Sequence, residues 1–173
     1  MGRDLRRDAG ALSPCALQST DEMWILDDLA STYALGRKLV HWLAAPSLLL
    51  LQGPLGSGKT SLVQGLAKVL GIMEPITSPT FALAQHYPQG IPPLVHLDLY
   101  RLECQSTADD LFLQQEEEAQ AINALMVVEW PERLSLNLGL SDAWRLRLMY
   151  HPSGGRSAQL TGPDTSRNLL TWD

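Results

Sequence analysis

The sequence predicts a single α/β domain: a central, mostly parallel sheet flanked by helices, with a C-terminal antiparallel hairpin. Three observations carry this. Two short apolar runs without alternation, "SLLLL" (47–51) and "ALMVVEW" (124–130), have the pattern of parallel strands buried on both faces. A glycine loop, "GPLGSGKTS", joins the first run to an amphipathic stretch, giving the order strand, loop, helix. "WRLRLMY" (144–150) and "RSAQLTG" (156–162) alternate about a turn at Ser153 to Gly155.

Taken in order, residues 1–20 mix Arg3, Arg6 and Arg7 with Asp4, Asp8, Gly and Pro and lack an apolar stretch. They read as a poorly ordered tail rather than a secretory signal, which leaves 21–173 as the domain. From Asp27 to Leu43 the residues Leu29, Tyr33, Leu39, Val40 and Leu43 recur at helical spacing, and Pro46 closes that helix. A second helix, Thr60 to Leu70, stops at Gly71. A proline-rich connection (Pro75, Pro79, Pro88, Pro92, Pro93) leads to "LVHLDLYRL" (94–102). There Val95, Leu97 and Leu99 alternate with His96, Asp98 and Tyr100, so one face is apolar and the other carries chemistry. "STADDLFLQQEEEAQAI" then reads as a helix opened by Thr107 and Asp110 at near capping-box spacing, with Glu116 to Glu118 toward solvent.

At 173 residues and 45% hydrophobic content the chain suits one well-buried core. Its net charge of −6 lacks the broad positive surface that tight nucleic-acid binding needs, so direct, tight binding to nucleic acid is not expected. Cys15 and Cys104 form no CxxC pair and read as free thiols in a reducing, cytoplasmic setting. No apolar run approaches the roughly 20 residues of a membrane span.

The chemistry starts at Gly53, Gly58, Lys59 and Thr60, which fill the pattern G-x-x-x-x-G-K-[ST] between a buried strand and a helix. Inward-turned backbone N–H groups and the positive end of the helix suit a phosphate, making this a P-loop NTPase-like domain. Lys59 is expected on the outer phosphates and the Thr60 hydroxyl on Mg²⁺. Such a loop needs an acid at a neighbouring strand end, and Glu129 stands there. Asp98 is a second acid, placed to reach the metal or orient the attacking water. His96 and Tyr100 lie behind these groups, and Trp130 is either core filler or a platform for a partner. "TSPTFAL" (77–83), with Ser78 and Thr80, stands where nucleotide switches carry a phosphate-sensing segment. A small-molecule kinase is the alternative, but the arginines are scattered and no lid-like insertion is present. A GTP switch would need an NKxD-type motif, which is absent.

Taken together, "GPLGSGKTS", "TSPTF", "HLDLYRLE" and "VVEWPERL" resemble the TsaE (YjeE) family over about residues 28–162. Those proteins are small bacterial P-loop ATPases required for making threonylcarbamoyladenosine in tRNAs that read ANN codons. The resemblance implies ATP as substrate, ADP as product, Mg²⁺ as cofactor, and a TsaB–TsaD pair as partner. In that pair TsaD performs the transfer, and the ATPase resets the pair between turnovers. By motif match it implies Thr60 and Glu129 as metal ligands and Gly56, Ser57, Gly58, Lys59, Thr60 and Ser61 as the phosphate cradle. Lys59, Asp98 and Glu129 would be needed for hydrolysis, and Thr32 would lie near the base. Glu132 and Arg156 would be further nucleotide contacts. The family usually carries Asp where this chain has Pro54 and Ala where it has Ser57.

Overall fold

A computed structural model describes residues 22–135 and 140–163, so the tail expected at 1–20 lies outside the described residues. One seven-stranded sheet runs through the molecule. Its strands are β1 (Glu22–Leu26), β2 (Ser47–Gln52), β3 (Ala84–Tyr87), β4 (Leu94–Asp98), β5 (Leu125–Glu129), β6 (Trp144–Tyr150) and β7 (Arg156–Thr161). They lie in the order β1-β7-β6-β2-β5-β4-β3. The central strands β6, β2, β5 and β4 are parallel, while β7 and β1 on one side and β3 on the other add antiparallel strands.

Helices α1 (Leu29–Leu39) and α2 (Lys59–Val69) cover one face, burying Leu49, Leu51, Leu62, Leu66, Val127 and Leu146. α3 (Gln105–Ala121) covers the other, over Leu50, Val95, Leu97, Phe112, Met126 and Val128. Successive side chains of β2, β4 and β5 therefore enter different cores, which is why these strands show apolar runs.

Several sequence expectations shift. The first helix begins at Leu29 behind an Asp28 cap, whose carboxylate accepts the Ser31 N–H at 2.7 Å, and it ends at Leu39 rather than Leu43. Its buried face is Thr32, Leu35, Gly36 and Leu39, while Leu29 stays 54% exposed. The reason is a backbone contact with α2. A Cβ on Gly36 would lie 2.2 Å from the Leu62 carbonyl oxygen, and one on Gly65 would lie 2.4 Å from that of Tyr33. The helices approach through these two glycines, and the approach sets which side of α1 faces inward.

Strand β4 ends at Asp98, and after a last bond from the Leu99 N–H to the Glu129 carbonyl at 3.1 Å the chain turns, with the Leu102 N–H on the Leu99 carbonyl at 3.0 Å. All five of its residues are buried, so the polar side of this strand faces the α2 layer and not solvent. α3 starts at Gln105 after Cys104, which places Thr107 in the first turn instead of at the cap. Glu117 and Glu118 are exposed as expected, whereas Glu116 is half-buried and its carboxyl titrates above the usual range for that reason. The hairpin turn spans 151–155. Two strands had no counterpart in the sequence reading. β1 pairs with β7, and β3 lies inside the proline-rich connection, where His86 meets Gln115 of α3 at 2.6 Å.

Candidate functional site

The phosphate loop leaves β2 at Gly53 and enters α2 at Lys59. Gly58 is the cap residue, with φ +100 in the left-handed region that only glycine adopts freely, and no side chain caps the helix. The first-turn N–H groups of an uncapped helix are donors without intrahelical partners, which suits an anion. Thr32 sits against this cap: a Cβ on Gly58 would be 3.6 Å from its methyl group.

Lys59 is buried, and its Nζ donates to the carbonyls of Gly53 (2.9 Å) and Pro54 (3.1 Å). The same ammonium lies 4.1 Å from the Trp130 ring centroid. Burial pulls its pKa below the ordinary lysine range, against the opposing charges of Glu129, Glu132 and Asp98. Pro54 removes an N–H, but its carbonyl also accepts from Ser57 N at 3.1 Å, so the turn keeps its bonds.

Glu129 ends β5 directly beside Asp98 in the parallel register. Its Oε1 accepts the Thr60 hydroxyl at 2.9 Å and meets His96 Nε2 at 3.0 Å. Asp98 takes its donors from elsewhere. Its Oδ2 accepts the Ser78 and Thr80 hydroxyls, each at 2.6 Å, and its Oδ1 accepts Tyr100 N at 3.0 Å. Trp130 follows Glu129 with φ +61, an uncommon conformation for a bulky residue, and its ring packs on Tyr100 with centroids 4.9 Å apart.

The hairpin grips the loop from outside. Tyr150 donates its hydroxyl to the Leu55 carbonyl at 2.6 Å, and Arg156 donates to the Gly56 carbonyl at 3.1 Å while stacking over Tyr150. Tyr150 has no signal in the sequence beyond its place at the end of an alternating run, because its role depends on how β6 registers beside β2.

The residues expected at the site fall into three cavities. One of about 370 Å³ is lined by Gly56, Gly58, Lys59, Thr60, Asp98 and Glu129, along with Ser61 and the edge of Trp130. A second, about 200 Å³, brings Thr32, Ser57, Ser61 and Arg156 together on the other side of the loop's last turn. Glu132 joins neither. It lines a third cavity with Pro54, Trp130 and Arg147, from where its charge still acts on Lys59. The sequence block that contains Glu132 runs on past the strand end into a short 3-10 turn, Pro131–Arg133.

The donor set fits a nucleotide with a hard divalent cation. Thr60 and Glu129 offer two oxygens at one point, and Mg²⁺ sites use one or two such protein ligands together with phosphate oxygens and water. Among the described residues no group of three or more His, Cys, Asp or Glu side chains is placed to hold a metal by protein ligands alone.

The comparisons with known proteins decide the family. The model of "Threonylcarbamoyl adenosine biosynthesis protein TsaE" matches residues 26–158. The chain belongs to the TsaE family. Among curated relatives with the name tRNA threonylcarbamoyladenosine biosynthesis protein TsaE, the one from Nostoc sp. is 44% identical over 79% of this chain and 83% of its own length. That from Synechocystis sp. is 46% identical over 64% of this chain and 71% of its own. The Bacillus subtilis relative is 34% identical over 72% and 74%. The crystal structure of Bacillus subtilis YdiB superposes with a TM-score of 0.67 over 90% of this chain and 94% of that one. At 22% identity that likeness speaks for the fold, and it agrees with the parallel-centred sheet of this TsaE-family chain. No helix among the described residues is long and apolar enough to cross a membrane.

Proposed function

We propose that this chain binds ATP and hydrolyses it with Mg²⁺ to sustain repeated threonylcarbamoyl transfer to tRNA by a TsaB–TsaD pair, without performing the transfer itself. The observation that carries the ATPase reading is the Thr60 hydroxyl on Glu129 Oε1, 2.9 Å apart, at the mouth of an uncapped helix beside Lys59. Family membership carries the pathway.

Each residue has a role in this reading. First-turn N–H groups from Gly58 to Ser61 hold the phosphates, and Lys59 leaves the Gly53 and Pro54 carbonyls for the outer phosphate oxygens. Thr60 and Glu129 hold Mg²⁺, which when bound offsets the charge of a triphosphate set beside two carboxylates. Thr32 and Arg156 face the nucleoside side. Asp98 orients the attacking water once Ser78 and Thr80 release its Oδ2, so the 77–83 segment and hydrolysis are linked.

The test is reconstituted threonylcarbamoylation with purified TsaB, TsaD, tRNA and ATP, counting product per TsaD with and without this chain. The expected result is one product per TsaD without it and many with it. Equal multiple turnover in both reactions would overturn the reading.

A further inference from the structure

We infer that His96 is the positioning residue for Glu129, holding the metal-binding carboxylate by its Oε1 so that Oε2 is presented to the cation; this rests on the ATPase reading above. His96 is fully buried, with 0% exposure, in the middle of β4, where it is flanked on the neighbouring strand by Val127. An apolar residue would fill that place without polar atoms to satisfy. The structure instead spends an imidazole there, with Nε2 3.0 Å from Glu129 Oε1 and with Nδ1 buried and unpartnered. A buried polar atom left without a hydrogen bond is destabilising and calls for a reason. The reason is at the other end of the ring.

A carboxylate only accepts, so Nε2 carries a proton and donates it to Oε1. Glu129 is itself 3% exposed, and both of its donors, Thr60 and His96, converge on Oε1; neither touches Oε2. The two donors differ in permanence. Thr60 belongs to the phosphate loop and gives up its bond to Glu129 when its hydroxyl serves a cation. His96 sits in the rigid sheet, one residue removed from any ligand, and keeps its bond through that exchange. Without it, the carboxylate would lose its last donor at the moment it must hold still. Groups that act behind a ligand in this way typically set metal affinity by 10–100-fold.

The test uses the full chain and three variants' worth of measurement. His96→Leu removes the donor at similar volume, and His96→Gln restores an N–H near the Nε2 position. Hydrolysis is followed against MgCl₂, Mn²⁺·ADP binding is followed by electron paramagnetic resonance, ADP affinity in EDTA by calorimetry, and folding by thermal melt. For His96→Leu the concentrations of Mg²⁺ and Mn²⁺ at half-saturation rise by about tenfold or more, with ADP affinity in EDTA within about twofold. His96→Gln returns most of the metal affinity. Unchanged metal half-saturation in a folded His96→Leu overturns the inference, as does a folded His96→Gln no better than His96→Leu. If His96→Leu does not fold, His96→Gln and His96→Asn decide the matter: near-native metal affinity in Gln with weakened affinity in Asn, whose amide is too short, supports it, and equal affinities overturn it. An unsubstituted chain that neither hydrolyses ATP nor binds Mn²⁺·ADP overturns the ATPase reading as well, and is told apart by that control.

Discussion

Asp98 and Glu129 are neighbours in register at the ends of adjacent parallel strands, both almost wholly buried, yet they are held by opposite kinds of partner. Glu129 is bonded from within, by His96 in the sheet and Thr60 at the start of α2. Asp98 takes one backbone donor from Tyr100, just past its own strand, and is otherwise bonded from without, by Ser78 and Thr80 in a surface segment whose Phe81 is 84% exposed and stacked by Arg101. Burial and strand position therefore do not fix what a carboxylate does. The location of its donors matters as well: one acid is anchored to the core, and the other ties a surface segment to the site.

The largest effect that would break this contrast is at the anchored acid. Glu129→Gln keeps the shape and the acceptor but removes the charge, and Mg²⁺-dependent kcat/KM should fall by about 10²-fold or more, while ADP affinity in EDTA stays within about threefold. Hydrogen exchange of the 77–83 amides should not change. The next effect is at the tethering acid. Asp98→Asn weakens two charge-assisted bonds by roughly 1 kcal/mol each, so exchange of the 77–83 amides should accelerate by about 30-fold along with slower hydrolysis. Exchange that stays at the native rate would show that the segment is held by something other than Asp98. The smallest effect is the sharpest test of shared wiring. Ser78→Ala and Thr80→Ala act on one oxygen atom and on each other, 2.6 Å apart, so the double variant should loosen the segment by less than the sum of the singles. Strict additivity, read by the same exchange measurement, would mean that the two hydroxyls work separately.

The phosphate loop was legible because its residues are contiguous and its chemistry depends on backbone turns that glycine spacing encodes. Glu129 was legible because strand ends are where such loops find their acids. What joins them was not. The His96–Glu129 bond spans residues 33 apart and exists only because β4 and β5 pair in parallel with His96 opposite Val127, a register that neither strand specifies alone. Glu132, given only by the resemblance, lines a neighbouring cavity after the 3-10 turn that follows Trp130, a position no residue pattern in the sequence specifies. The missed strands are short edges: β3 is "AQHY", with little apolar content, and β1 is five residues between the tail and a helix cap. The face of α1 was legible from Leu39, Val40 and Leu43, with Leu29 alone exposed, whereas the contact through Gly36 carries no apolar signal.

That glycine contact has a mechanical consequence. Packing between most helices is made by side chains, which can change rotamer and absorb small displacements, but Gly36 and Gly65 meet the opposite backbone directly. A backbone contact leaves less room for adjustment than the side-chain contacts beside it, such as Tyr33 on Gln64, so α1 and the first turns of α2 are expected to move together. The distance from Thr32 to the phosphate loop is then held close to one value by backbone-to-backbone packing. A spectroscopic reporter on the outer side of α1, at exposed Arg37, would register each displacement of the loop from a position that touches no part of the nucleotide cavity.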